Sequence, residues 1–265
     1  MKKKYLYTIM VIVLLYGIYF SYNYYAAPTL CQPYIMSNQE DTFRIAYIGD
    51  SWAFFHRNHE CIITAMMKET VHRPVKVHTY GICGLTSKEI YEQFFDNDDF
   101  KHFLQKRKYE VCFVSAGIND TYKKMSTTYY KQSMNGIIQF LLANNIHPVI
   151  LEIPDYNIIK AYNRQPIYRK LIRRLSMLVT GCSIDCKQAF RHALDELIQE
   201  KGYQDSISII RYRSWNRNYS EDLQKLYWPE GMHLNEYGYH VIDSMIVNAI
   251  SNHSTAWHNN APPKE

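Results

Sequence analysis

The chain has 265 residues, 47% apolar and 21% charged, which is material for one sizeable core after a short N-terminal segment. Its formal charge of +5 includes Lys2, Lys3 and Lys4, and what remains is too mild to indicate nucleic acid as a partner. The six cysteines show neither metal-site spacing nor a disulfide framework; Cys182 and Cys186, four apart, suit a small loop disulfide or nothing at all.

The three lysines precede an uncharged stretch whose apolar part reads YLYTIMVIVLLYGIYF, with Tyr22, Tyr24 and Tyr25 following. A membrane span needs about 20 residues, and the interface favours aromatics at its end. The lysines favour keeping the N-terminus in the cytoplasm and exporting the rest. Residues 1–25 therefore read as a signal-anchor, which makes a membrane the expected partner of this segment. The competing reading is a cleaved signal peptide and a secreted product, although Pro28 directly after Ala26-Ala27 hinders cleavage there. Residues 26–41, with Pro28 and Pro33, read as a linker, and Cys31 sits in a poor lipid-attachment context.

From residue 42 strand-like and helix-like patterns alternate as far as residue 252. Short apolar runs at Ile45–Ile48, Val75–Tyr80, Val111–Ser115, His147–Ile153 and Ser206–Ile210 read as five strands. Helical periodicity fills the gaps: Ala53–Val71 with Phe54, Cys61, Ile62, Ala65 and Met66 inward, then Thr86–Phe95, Tyr129–Asn144, Pro166–Val179, Lys187–Lys201 and Glu236–Ser251. Residues 253–265 read as a flexible tail. Repeated βα units with all-apolar strands imply a parallel α/β sheet covered on both faces. Right-handed crossovers then gather the strand carboxyl ends on one edge, where ligands bind.

That edge collects four blocks. Gly49-Asp50-Ser51 follows the first strand, Gly81-Ile82-Cys83-Gly84 the second, and Gly117-Ile118-Asn119-Asp120 the third. Trp228-Pro229-Glu230-Gly231-Met232-His233 lies between the fifth strand and the last helix. A serine at a strand-to-helix turn has its hydroxyl lifted off the sheet, and its N–H belongs to the unpaired set at a helix start.

In this order and at these positions the blocks resemble the SGNH, or GDSL-type, esterase and lipase superfamily over about residues 43–250. The resemblance implies a flavodoxin-like three-layer α/β/α sandwich with a five-stranded parallel sheet. It also implies Ser51 as nucleophile, His233 as general base and Glu230 as the acid that orients it. The oxyanion hole would comprise the Ser51 N–H, the Gly84 N–H and the Asn119 amide. It implies no cofactor and no metal. Where the family usually carries aspartate, this chain has Glu230, one methylene longer, so its carboxylate must fold back to reach the imidazole. Otherwise the acid is dispensable or replaced by a backbone carbonyl. A serine hydroxyl needs such a base to become nucleophilic, and the acyl-transfer intermediate needs the donors. Asp50 and Asp120 read as braces for loop N–H groups.

His56 and His59 read as surface or supporting residues, since no third metal ligand accompanies them. His72, His78, His102 and His147 have no partner pattern; Met66, Met67 and Met134 read as core. Trp52, Tyr122, Asp155, Tyr156, Trp215, Asn216 and Trp228 fall in loops at the active edge. Of these, Trp52, Tyr122, Trp215 and Trp228 are the candidate stacking surfaces for a sugar. The expectation is a membrane-anchored serine esterase facing the periplasm or cell exterior, removing small acyl groups, acetyl above all, from an envelope or imported glycan. The rivals are an O-acyltransferase with the same site, a lysophospholipase or thioesterase, and a catalytically silent glycan-binding relative.

Overall fold

The computed structural model describes residues 2–25, 42–71, 73–105, 107–216 and 219–259. The expected linker at 26–41 with its Cys31, His72, and residues 260–265 of the expected tail lie outside these. Among the described cysteines, Cys61, Cys83, Cys112, Cys182 and Cys186 are free thiols.

Five strands form one parallel sheet: β1 (Phe43–Gly49), β2 (Val75–Gly81), β3 (Val111–Ser115), β4 (His147–Leu151) and β5 (Ser208–Ile210), in the order β2-β1-β3-β4-β5. β1, β3 and β4 are buried along their whole length, as strands covered on both faces must be, and that is why Ile45–Ile48, Val111–Val114 and Val149–Leu151 read as apolar runs. The chain first steps from β1 out to β2 and then returns past β1 to β3. The topological switch point therefore lies between β1 and β3, where this class of sheet binds ligands. Gly49 pairs with both Gly81 and Ser115, so the ends of the three strands that carry the site loops are level with one another.

Right-handed crossovers in opposite directions put helices on both faces. The helix α3 (Glu60–Val71) packs with the last helix α12 (Glu236–Asn259). On the other face α7 (Thr127–Ala143) contacts both α4 (Ser87–Asp96) and α10 (Lys187–Lys201). The core between the layers is aromatic-rich, with Tyr47, Phe94, Phe113 and Phe140 fully buried.

Three features depart from the sequence expectations. The helix expected at Ala53–Val71 is interrupted. It is a short α2 (Ser51–His56), a 3-10 turn at Arg57–His59, and then α3. A 3-10 turn advances the chain by 3.0 rather than 3.6 residues per turn, so it rotates the face of whatever follows. Ile63 and Met67 face the core in α3, whereas Phe54, Cys61, Ile62 and Ala65 are exposed and Met66 is half-buried. The last helix runs to Asn259, beyond the expected Ser251. Four shorter helices carried too little periodicity to be read: α5 (Asp98–Gln105), α6 (Ile118–Lys123), α8 (Ile158–Asn163) and α11 (Tyr219–Lys225).

The N-terminal α1 (Lys2–Tyr24) contains a 20-residue stretch, Tyr5–Tyr24, with mean hydropathy 1.6, long and apolar enough to cross a membrane. Tyr5 to Tyr19 are all exposed. Its end is tied to the body: the Ser126 N–H donates to the Tyr24 carbonyl at 3.1 Å, and the Ser126 hydroxyl to the Tyr25 carbonyl at 3.2 Å. One further helix, α9 (Ile167–Thr180), lies beside α1.

Candidate active site

The nucleophile candidate is set by a tight strand-to-helix turn. Asp50 caps α2, its carboxylate accepting from the Trp52 N–H at 3.0 Å, and this leaves Ser51 as the first helical residue. The backbone of α2 passes so close to the end of β2 that a Cβ on Gly81 would sit 2.1 Å from the Phe54 nitrogen. Glycine at 81 is therefore what lets α2 lie against the sheet edge.

Ser51 Oγ lies 3.0 Å from His233 Nε2, and His233 Nδ1 lies 2.9 Å from Glu230 Oε1. The longer glutamate side chain folds back, and the same Oε1 also accepts the His233 backbone N–H at 3.3 Å. The turn that allows this has Gly231 at φ 75 and an antiparallel bridge between Tyr227 and Leu234 that closes the loop. With the Nδ1 proton on the Glu230 side, Nε2 is free to accept the serine proton; the tautomer follows from the partners. Phe55 stands edge-on to the imidazole with ring centres 5.2 Å apart.

The oxyanion candidates come from three separate loops, and two buried acids hold these loops together. Asn119 Nδ2 donates to Asp50 Oδ2 at 3.1 Å, which leaves its second N–H to point elsewhere. Asp120 accepts the Ser87 N–H at 2.8 Å and the Ser87 hydroxyl at 2.5 Å, joining α6 to the start of α4. The start of α4 is itself a capping box, Thr86 with Glu89, directly after the Gly84 turn. Asp50 thus links the turn of Ser51 to Asn119, and Asp120 links Asn119's helix to the Gly84 loop. Burial pushes both carboxyls up, Asp50 to about 7 and Asp120 to about 6. Gly84 has φ 84, a backbone conformation that favours glycine, and a Cβ there would meet nothing within 4 Å. Within the protein the requirement for glycine at 84 is therefore conformational. Among the described residues the Gly84 N–H has no hydrogen-bond acceptor.

The candidate substrate residues divide. Trp52 is fully buried; its indole N–H donates to the Met232 carbonyl at 3.1 Å, and its own carbonyl accepts the Tyr239 hydroxyl at 3.1 Å. Trp215 is buried edge-on against it, with ring centres 6.1 Å apart. Neither offers a face to a sugar; together they brace the loop that carries His233. Tyr122 is half-buried under the Arg173 guanidinium. Trp228 alone of the four is well exposed, at 53%. It borders a cleft of about 540 Å³ lined also by Asn157, Lys160, Leu223 and Gly231, on the flank of the Glu230 loop. Asp155 pairs with Arg191 at 2.7 Å, while Tyr156 and Asn216 are buried and hydrogen-bonded.

His56 is buried rather than at the surface. Its Nε2 lies 2.5 Å from Asp243 Oδ1, both side chains fully buried, with the Tyr239 ring edge-on and the His59 ring tilted beside the imidazole. Nothing in the sequence links these residues, which are 187 positions apart.

No protein-family model matches the chain, and no curated protein matches it. Solved structures do. A lipase/acylhydrolase from Enterococcus faecalis aligns with a TM-score of 0.55 at 13% identity, covering 84% of this chain and 99% of that one. A protein of the G-D-S-L family from Desulfitobacterium hafniense aligns at 0.54 and 16%, covering 78% and 98%. The chain has the SGNH hydrolase fold. An acetyl-xylooligosaccharide esterase from Geobacillus shares it, at 0.54 and 12% identity, covering 78% of this chain and 94% of that one. On the SGNH frame Ser51 follows β1 and Asn119 follows β3, on either side of the switch point, with His233 entering from the segment before α12.

Proposed function

We propose that this chain is a membrane-anchored serine ester hydrolase of the SGNH type. The observation that carries the reading is the continuous hydrogen-bonded line from Ser51 Oγ through both nitrogens of His233 to Glu230, at 3.0 and 2.9 Å. Ser51 Oγ attacks the ester carbonyl carbon and passes its proton to His233 Nε2. Glu230 holds the imidazole and stabilises its cation. The carbonyl oxygen, now an anion, accepts from the Ser51 N–H, the Gly84 N–H and the free N–H of Asn119. His233 returns the proton to the leaving alcohol, and a water attacking the acyl-enzyme reverses the sequence.

Two observations favour a small acyl group on a carbohydrate. The acetyl-xylooligosaccharide esterase shares the fold across most of its own length. Trp228 also exposes an indole face beside a cleft that Lys160, Asn157 and Gln224 supply with polar groups. The exposed apolar helix α1 supports anchoring, with the catalytic domain on the periplasmic or outer side. The test is hydrolysis of an aryl acetate by the full chain in mild detergent, beside Ser51→Ala and His233→Ala. Wild-type turnover with loss in both variants supports the reading, and equal rates in wild type and Ser51→Ala overturn it. Release of acetate from acetylated glycans, against its transfer to an added glycan, separates hydrolase from acyltransferase.

A further inference from the structure

The helix α9 is amphipathic in the wrong sense for a soluble protein. Ile167, Leu171, Leu175 and Leu178 recur at helical spacing, and with Tyr168 and Val179 they span an arc of about 120°. This apolar face points away from the body: Ile167 is 78% exposed and Leu178 82%, while Ser176 alone of the helix is buried. Lys170 and Arg174 flank the arc on one side and Arg169 on the other. An outward apolar face edged by cations is the pattern of a helix that lies in a membrane interface.

Its neighbour supplies the second observation. Leu175, Leu178 and Val179 line an apolar groove of about 730 Å³ with Leu14, Gly17 and Ile18 of α1. The outward face of α9 is thus continuous with the surface of the helix read as the membrane span. The α1 residues of this groove run from Val13 to Ser21, about 5–17 Å before Tyr24 along the helix axis, and so span the depth of about 5–10 Å at which interfacial helices bury their apolar side.

We propose that α9 docks on the lipid bilayer that α1 enters, burying Ile167, Leu171, Leu175 and Leu178 among the acyl chains while Arg169, Lys170 and Arg174 meet anionic headgroups. The proposal rests on the membrane-anchor reading of α1, and it adds a second attachment that the tether alone does not provide. α9 is fixed to the catalytic domain: Arg173 Nη1 donates to the Lys123 carbonyl at 3.3 Å and the Thr180 hydroxyl to the Lys124 carbonyl at 3.1 Å. Those carbonyls end α6, whose first turn carries Asn119. Docking therefore adds a second restraint on the tilt of the catalytic domain at the membrane, beside the Ser126 hydrogen bonds to the end of α1.

The experiment uses the full chain in vesicles of phosphatidylethanolamine and phosphatidylglycerol. An environment-sensitive fluorescent amino acid is placed in turn at Leu171, at Leu178, at Val11 in α1 and at the exposed Lys201 of α10. Expected are quenching by nitroxide-labelled lipid at 171, 178 and 11, and iodide quenching there reduced severalfold relative to 201. Iodide access at 171 and 178 equal to that at 201, with 11 still quenched by lipid, overturns the docking and spares the anchor. Iodide access at 11 as well overturns both. Shielding from iodide at 171 and 178 without lipid quenching means that protein, such as a second copy, covers the face, and this too overturns the proposal. Aryl acetate hydrolysis by the same samples reports on the catalytic reading independently, because none of the four positions belongs to the candidate site.

Discussion

Asp50 holds Asn119 by accepting its side-chain N–H at 3.1 Å, so one acid caps the helix that begins with Ser51 and orients the amide of Asn119, the proposed oxyanion donor. In Asp50→Asn the new amide can still cap α2, but it turns an NH2 towards the NH2 of Asn119. Asn119 relieves the conflict by flipping, which points its carbonyl oxygen into the site. Loss of one donor costs about 10²–10³ in kcat. A fall of that order in kcat for an aryl acetate with KM little changed is expected, and adding Asn119→Ala to this variant should cost little more. Full additivity of the two losses would show that Asp50 does not act through Asn119.

The same acid makes stability depend on pH. Burial raises Asp50 to about 7 in the folded chain from an ordinary 3.8. The folded state therefore binds the proton more tightly than the unfolded state, and its advantage is complete below about 3.8. It is lost as pH rises towards 7. Asp50→Asn has no proton to lose. The Tm of the variant relative to wild type should therefore climb between pH 4 and 7 and level off above. A constant difference across that range would mean that Asp50 is ionised throughout.

Glu230 reaches His233 because its extra methylene is taken up in a fold-back that also accepts the His233 N–H. Glu230→Asp should shorten this reach and lower kcat, although it restores the residue usual in the family. Glu230→Gln preserves the shape and removes the charge that stabilises the imidazolium. Its loss in kcat should be at least about tenfold smaller than that of His233→Ala, a general base contributing about 10²–10⁴. Steady-state rates on an aryl acetate decide the order, and a Glu230→Asp enzyme as fast as wild type would refute the fold-back argument.

The buried His56 and Asp243 pair should be costly to halve and cheap to replace whole. Removing one partner of a buried pair costs about 3–5 kcal/mol, whereas apolar replacement of both is often neutral. Denaturant unfolding should therefore place Asp243→Ala well below wild type, with the double variant His56→Leu, Asp243→Leu nearer to it. Equal losses in both would mean that the pair is not an energetic unit.

Gly84→Ala should separate conformation from bulk. Its Cβ has open space, so folding suffers only the backbone strain of a positive φ, about 1–2 kcal/mol. If the Gly84 N–H is a donor, kcat should fall through the tilt of that peptide while Tm moves by only a few degrees. An unchanged kcat would remove Gly84 from the oxyanion hole.

The sheet and the four site loops were legible because short apolar runs and their flanking glycines are local signals. Glu230 and His233 were singled out by the resemblance rather than by a local pattern, and the fold-back of the longer glutamate brings the two within 2.9 Å. Side-chain direction was not. Trp52 opens α2 and Trp215 follows a 3-10 turn, both at the expected sheet edge, but their indoles turn inward to brace the His233 segment, and position along the chain says nothing about that turn. The face of α3 was misjudged because the 3-10 turn at Arg57–His59 shifts its phase, and polar residues there gave no warning. The pairing of His56 with Asp243 depends wholly on how α12 lies across α2, which only the folded chain specifies.

Trp52 and Tyr239 fasten the first half of the site to the last helix, and His233 follows Ser51 by 182 positions. On the proposed mechanism, a nascent polypeptide that has passed β5 but not reached Trp228 has its sheet edge in place and no base for the Ser51 hydroxyl.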